Sequence, residues 1–228
     1  MKIGIFGTGI VGQTIAEKVA DLGHEVMIGT RNVEALLAKS NPDSYGRPPF
    51  KEWLNARSGI QVATLDETAA SCTLLINAMH GMGTIQALGS IDPSHLSGKI
   101  LLDIANPLDF SQGFPPTLAI CNTDSLGEQI QRTFPELKVV KSLNTMNANL
   151  MVHPRAIDGD QTVFLSGNDS AAKETVKSLL NSFGWKESEM IDLGDISTAR
   201  GTEQLLPIWV RIYAGKGTSL FNFRIVFG

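Results

Sequence analysis

KIGIFGTGIVGQTIAEKVADLGHEVMIGTR, residues 2–31, runs from one short apolar segment to another through a spaced set of glycines. Ile3, Ile5 and Phe6 lead into Gly7-x-Gly9-x-x-Gly12, and a helical pattern follows. Val26, Met27 and Ile28 then form a second apolar run that ends in Gly29-Thr30-Arg31. Strand, glycine turn, helix and second strand in this order make a dinucleotide-binding βαβ unit. Gly7 permits the tight strand-to-helix turn, Gly9 lets a pyrophosphate approach the backbone, and Gly12 lets the helix pack closely on the strand. The helix beginning near Ile10 offers free N–H groups and a positive dipole end to the phosphates.

The end of the second strand decides between the two nicotinamide dinucleotides. NAD-binding chains place Asp or Glu there to accept from the ribose 2′-OH. Here Glu25 comes too early, at the strand's start, and the deciding place holds Thr30 and Arg31. A hydroxyl and a guanidinium suit a 2′-phosphate, which an acid would repel. NADP is therefore expected rather than NAD.

The chain has 228 residues, 43% hydrophobic and 18% charged, with a net charge of −4. That is enough to bury a full core in one large domain, or a domain with a small appendage. The charge and the lack of a basic tract argue against a nucleic-acid partner. No apolar run reaches transmembrane length, so no membrane partner is expected. The N-terminus enters its first strand at once, which predicts no signal peptide. Cys72 and Cys121 are too few for a disulfide framework or a metal site, and Cys72, in the run CTLLI, reads as core. A cytoplasmic location is the expectation.

Further along, strands and helices alternate. Helix is predicted over 10–22 with Gly23 as its stop, and a short helix over 32–39. A loop over 40–50 and one or two helical turns over 51–57 follow. A strand over 60–63 leads to a helix starting at Asp66 or Thr68. Strands are expected over 73–78 and 99–104, a helix over 125–134, and strands over 138–143 and 162–166. A helix over 170–183 is capped by Asp169 and stopped by Gly184, and a last strand covers 189–193. The remainder reads as mostly helical, with Leu205, Trp209, Ile212 and Tyr213 as an apolar stripe. This order predicts an α/β chain: a Rossmann-type doubly wound, mostly parallel sheet of about eight strands with a short C-terminal helical segment. Residues 1–195 are taken as the NADP-binding domain. Residues 196–228 are taken as the helical segment, packed on that domain and at a dimer contact.

Ligands of such sheets sit beyond the carboxyl ends of the strands. Those ends read Asn77-Ala78-Met79-His80, Asp103-Ile104-Ala105-Asn106-Pro107 and Leu143-Asn144-Thr145-Met146-Asn147. Asn side chains can pair with a carboxamide or a ribose. Asn77, Ala78, Met79, Asn106, Pro107, Asn144, Thr145 and Met146 are therefore candidate cofactor contacts, with Asn144 the candidate for positioning the nicotinamide. His80 is either a solvated loop histidine or a general acid. Asp103 either caps a turn or holds a ribose. Lys141 is expected to point away from the site or to pack its stem. No Lys or Tyr stands where a hydroxyl-to-ketone dehydrogenase needs its proton donor. Such sparse chemistry suits a hydride passed between two ring cofactors, which needs stacking and distance rather than an acid–base pair.

These residues resemble the NADP-dependent reductases of the deazaflavin coenzyme F-420. They also resemble the cytosolic reductase domain of the six-transmembrane metalloreductases. The resemblance runs nearly end to end. It rests on KIGIFGTGIVGQTIA with LGHEVMIGTRN, LLDIANPLD, VVKSLNTMNANLM, VFLSGNDSAAKETVKSLLNSFGW and IDLGDISTARGTEQLLPIW. It implies that Thr8, Gly9, Ile10 and Val11 line the pyrophosphate and adenosine side, and that Thr30 and Arg31 read the 2′-phosphate. Ala78 and Met79 would run along the nicotinamide-side ribose, Asn106 and Pro107 near the ring, and Asn144, Thr145 and Met146 beside the nicotinamide where a second ring stacks. The Leu143-Asn144-Thr145 stretch is nearer the metalloreductase pattern. Gly215-Lys216-Gly217 matches a glycine-bearing turn of the deazaflavin enzymes.

The leading expectation is an NADP-dependent oxidoreductase, acting as a homodimer, that passes hydride between NADPH and deazaflavin F-420 or flavin. An NADP-linked reductase of a small carbonyl or imine is an alternative, although such enzymes usually add a long helical substrate domain. A redox sensor that holds NADP without turnover is the other.

Overall fold

The computed structural model describes residues 1–43 and 46–228. Of the loop expected over 40–50, residues 44 and 45 lie outside the described residues. The chain opens with β1 (Lys2–Phe6), α1 (Ile10–Asp21) and β2 (Glu25–Thr30). It continues through α2 (Val33–Leu37), α3 (Phe50–Asn55), β3 (Ile60–Thr64), α4 (Leu65–Ser71) and β4 (Leu74–Asn77). Next come α5 (Gly81–Leu88), α6 (Pro93–Leu96), β5 (Ile100–Asp103) and a small hairpin of β6 (Leu108–Asp109) and β7 (Thr117–Leu118). Then follow α7 (Leu126–Thr133), β8 (Lys138–Ser142), α8 (Ala148–Val152), β9 (Val163–Gly167) and α9 (Ser170–Phe183). The last elements are β10 (Met190–Asp192), α10 (Ala199–Glu203) and α11 (Leu206–Lys216).

The main sheet has eight strands in the order β10-β9-β8-β5-β4-β1-β2-β3. From β3 to β8 every pairing is parallel. β9 runs antiparallel to β8, and β10 is parallel to β9. Both faces of the sheet are covered, which is why its strands read as near-continuous apolar runs. Ile3, Ile5, Ile76, Leu102 and Val140 face one layer, packing on Ile15, Val19, Leu150, Val176 and Leu180. Phe6, Leu75, Leu101 and Val139 face the other, against Ala69, Leu88, Ile130 and Ala199.

Most helix limits follow local signals. The Asp169 side chain accepts from Ala172 N at the start of α9, and Gly184 closes it in the left-handed conformation. α4 starts at Leu65, ahead of the predicted Asp66 or Thr68. Thr64 caps it, and Glu67 returns a bond to the Thr64 backbone, so the capping box sets the boundary. α5, α6, α8 and the hairpin have no counterpart in the sequence reading. The C-terminal segment is helical, as the sequence reading expects. Helix ends at Lys216, with Gly217 left-handed, and no helix follows. The tail instead runs along the entrance to β9. Thr162 N donates to Phe223 O at 2.9 Å, and Ile225 N to Thr162 Oγ1 at 3.0 Å.

Lys141 also departs from expectation. It neither points away nor merely packs its stem: its Nζ is fully enclosed, 2.8 Å from Asp103 Oδ2 and 2.8 Å from Glu203 Oε1, and it donates to Ala105 O. Burial alone pulls this amine toward its neutral form. The carboxylates of Asp103 and Glu203 outweigh it and hold the group above the ordinary lysine pKa. Lys141→Met leaves two buried carboxylates without their cation. That substitution should cost about 3–5 kcal/mol and lower the thermal midpoint by roughly 10 °C. A melting curve checks this, and an unchanged midpoint would show that the ion triad does not hold the fold.

Candidate functional site

A crevice opens beyond the carboxyl ends of β1, β2, β4, β5 and β8. Its floor is the turn from β1 into α1. Gly7 has φ +124°, and a Cβ there would stand 2.5 Å from the Ala78 carbonyl oxygen, so the residue must be glycine on both counts. A Cβ on Gly12 would meet Gly7 O at 2.2 Å, which is how closely α1 lies on the turn. At Gly9 a Cβ would meet nothing within 4 Å, so open space lies over the backbone there. α1 has no side-chain cap and no acid in its first turn, which leaves its leading N–H groups free to donate.

The crevice consists of three adjoining hollows. The first, about 310 Å³, is lined by Gly7, Thr8, Gly9, Thr30, Arg31 and Met79, among others. The second, about 410 Å³, continues from Thr30 and Arg31 to Thr64, Asp66 and Gln86. The third, about 220 Å³, lies on the other side, and Ala78, Met79 and His80 line both it and the first. Arg31 is exposed and makes no ion pair among the described residues. Across the second hollow, Asp66 accepts from Asp92 N at 2.8 Å and sits 3.0 Å from His95 Nδ1. The Asp92 N–H, then His95, hold its carboxyl below the usual range.

The third hollow gathers residues from distant parts of the chain. Asn106, Asn144 and Met146 reach it from the strand ends, and Val11 reaches it from α1 rather than lining the adenosine side. Asn106 and Asn144 form a closed pair: Asn106 Nδ2 donates to Asn144 O at 2.9 Å, and Asn144 Nδ2 donates to Asn106 Oδ1 at 2.9 Å. Asn144 Oδ1 has no hydrogen-bond partner among the described residues. The residue before it, Leu143, is 2% exposed with φ +60°, a conformation a branched side chain adopts only under constraint. Phe110, Met151, Leu206 and Trp209 also line it, and sequence reasoning missed all four as site residues.

Other predicted contacts stand differently. Ile10 is exposed on the first turn of α1, while Thr145 and Pro107 are buried. Asn77 does not reach the crevice with its side chain, which is a correction. It is fully buried, donating to Asp103 Oδ1 at 2.7 Å and Thr84 Oγ1 at 3.2 Å and accepting from Met79 N at 3.2 Å. It thus fixes the turn that carries Met79 from below. Asp103 is fully buried and lines none of the three hollows, and the turn-capping alternative is nearer: it accepts from Ala105 N at 3.2 Å and pairs with Lys141. His80 precedes α5 with its ring 6.4 Å from that of Phe110, at the joint between the first and third hollows.

Comparison with known proteins agrees with this geometry. Residues 2–107 match the family described as NADP oxidoreductase, coenzyme F420-dependent. The structure superposes with a TM-score of 0.94 on a crystal structure described as a candidate F420-dependent NADP-reductase from Arthrobacter sp. FB24. The two are 56% identical, and each is covered over 100% of its length. Metalloreductase STEAP3 of Rattus norvegicus is 27% identical over 213 residues, 91% of this chain. The chain spans only 38% of that relative's length. No helix among the described residues is long and apolar enough to cross a membrane. A reductive aminase from Aspergillus terreus shares the fold at TM-score 0.61 and 20% identity, over 95% of this chain and 62% of that one. The chain is an NADP-dependent oxidoreductase and belongs to the coenzyme F420-dependent NADP oxidoreductase family.

Proposed function

We propose that the crevice passes a hydride between NADPH and a ring acceptor, a deazaflavin such as F-420 or a flavin. The observation that carries this reading is the third hollow. It abuts the first at Ala78, Met79 and His80, and it contains an amide pair but no carboxylate, lysine or tyrosine. A hydride passed directly between two stacked rings needs close approach and exclusion of water, and such a lining supplies both. NADPH, when bound, supplies the hydride.

The chain's own residues hold and orient. The open backbone over Gly9 and the N–H groups of Ile10, Val11 and Gly12 receive the pyrophosphate, beside Gly7 and Thr8. Thr30 and Arg31 take the 2′-phosphate, and the lack of an ion-pair partner among the described residues leaves the Arg31 fork available for it. Ala78 and Met79 run under the ribose. The free Asn144 Oδ1 accepts from the carboxamide, with Asn106 fixing its direction. Pro107, Thr145 and Met146 shape that end, and Asn77 acts only through Met79.

The strap-like C-terminal segment supports two further assignments. Glu203, Leu206 and Val210 are buried against the 1–195 body, as suits a 196–228 segment packed on one domain. Ile208, Tyr213, Leu220, Val226 and Phe227 remain exposed and suit a homodimer contact. Two free cysteines suit the cytoplasm.

Mixing the protein with NADPH and either F-420 or FMN tests the reaction: oxidation of NADPH is expected with at least one, and none with either defeats the proposal. Arg31→Glu should raise the dissociation constant for NADPH about 100-fold with unchanged circular dichroism. An unchanged constant refutes the phosphate role. Asn144→Ala should lower kcat about tenfold while the NADPH dissociation constant stays within about twofold. Equal losses in both would make Asn144 a binding residue only.

A further inference from the structure

The hydride-transfer reading above leaves His80 without a task, although it lines both the first and the third hollow. The backbone around it is fixed. Met79 N donates to Asn77 Oδ1 at 3.2 Å, and His80 O accepts from Gly83 N at 2.9 Å. A Cβ on Gly81 would stand 2.1 Å from Asn106 O, so the turn lies directly on the residue paired with Asn144. The imidazole, by contrast, is exposed and has no hydrogen-bond or ion-pair partner among the described residues. Its ring stands beside that of Phe110, another lining residue of the third hollow, with centroids 6.4 Å apart. A fixed root with free ring nitrogens is what a group that exchanges protons requires.

Nothing else in the two hollows does that chemistry. Among the described residues lining them, His80 and Arg31 alone are titratable, and Arg31 does not reach the third. Charged groups on the elements packed beside α5 are engaged elsewhere. Asp109 of β6 accepts from Ser111 N at 2.8 Å, Glu128 of α7 pairs with Arg200, and Arg132 of α7 pairs with Asp124. Asp103, below the turn, pairs with Lys141.

Hydride transfer creates a need for such a group. A hydride carries two electrons and one hydrogen nucleus, so it oxidises NADPH to NADP⁺ and leaves the reduced ring one negative charge richer. A proton must then reach a ring nitrogen. Amides, methionines and aromatics do not release one near neutral pH, whereas an imidazolium does.

We propose that His80 is a catalytic acid of this reaction: its imidazolium gives a proton to a nitrogen of the acceptor ring that receives the hydride, and solvent, to which the imidazole is open, restores it. One NADPH, one oxidised ring and one proton become one NADP⁺ and one reduced ring. In the opposite direction the neutral imidazole takes the proton back.

His80→Gln keeps a polar side chain and removes the transferable proton. With FMN or F-420 as acceptor, kcat should fall about 100-fold, while the NADPH dissociation constant stays within about twofold. From about pH 6 to 8 kcat of the unaltered protein should decline as the imidazolium is lost, and that of His80→Gln should stay level. A second readout needs no turnover. In the protein loaded with NADP⁺, adding the oxidised ring should move the His80 imidazole C–H resonances, identified by their absence from the His80→Gln spectrum. An unchanged kcat in the variant, the same pH slope in both proteins, an equal loss of NADPH binding, or resonances that stay in place each overturns the proposal. If the unaltered protein reduces neither ring, the hydride-transfer reading itself fails and takes this one with it. Reduction at equal rates by both proteins sinks the role of His80 alone.

Discussion

One enclosed ammonium group ties the site to the fold. Lys141 and Asp103 are register partners on adjacent strands, β8 and β5, so their meeting follows from the sheet itself. Glu203 comes from α10 and also accepts from Leu126 N and Gly127 N, in the first turn of α7, whose cap residue Ser125 accepts from Glu128 N. Asp103 passes the connection to Asn77, and Asn77 to the backbone of Met79. Three buried charges are tolerable only when their donors and acceptors are met, and here they are. The reward is geometric. Ala105 and Met79, on the two turns that flank the third hollow, are both bonded to this one cluster.

The crevice above this cluster changes character along its length. One end offers helix N–H groups, a threonine hydroxyl and an exposed guanidinium. The other offers methionines, aromatics and two amides. A molecule with a highly charged end and a neutral end has a single sensible orientation in such a field. The left-handed backbone at Leu143 belongs to the same device, since strain that persists in a buried residue is held in place by its surroundings.

Much of this was legible in the sequence where the causes are local. The glycine turn, the helix after it and the Thr30-Arg31 pair are set by neighbours in the chain. The β8–β9 reversal is not, because nothing in VVKS or VFLSG distinguishes a parallel from an antiparallel edge partner. Lys141 sits in an apolar strand, and an enclosed lysine requires carboxylates. Nothing local, however, could name Asp103, 38 residues away. Asn77 has the residue type of a cofactor contact but faces inward, a matter of which side of the pleat it occupies. Trp209 belongs to a stripe that also fits core or dimer contact, and only the folded chain brings it to the third hollow.

The reversed strand has one consequence for how the chain is routed. Had β9 and β10 run with their neighbours, the chain would have left the sheet at the crevice. Instead β10 ends at the opposite side, where Gly194 O accepts from Gly167 N and Lys138 pairs with Asp169. The polypeptide must then climb the full height of the sheet to bring Leu206 and Trp209 to the crevice. α10 makes that ascent, and Glu203 meets Lys141 on the way. An odd parity of strand direction thus makes the ion triad and the crevice wall stages of a single path.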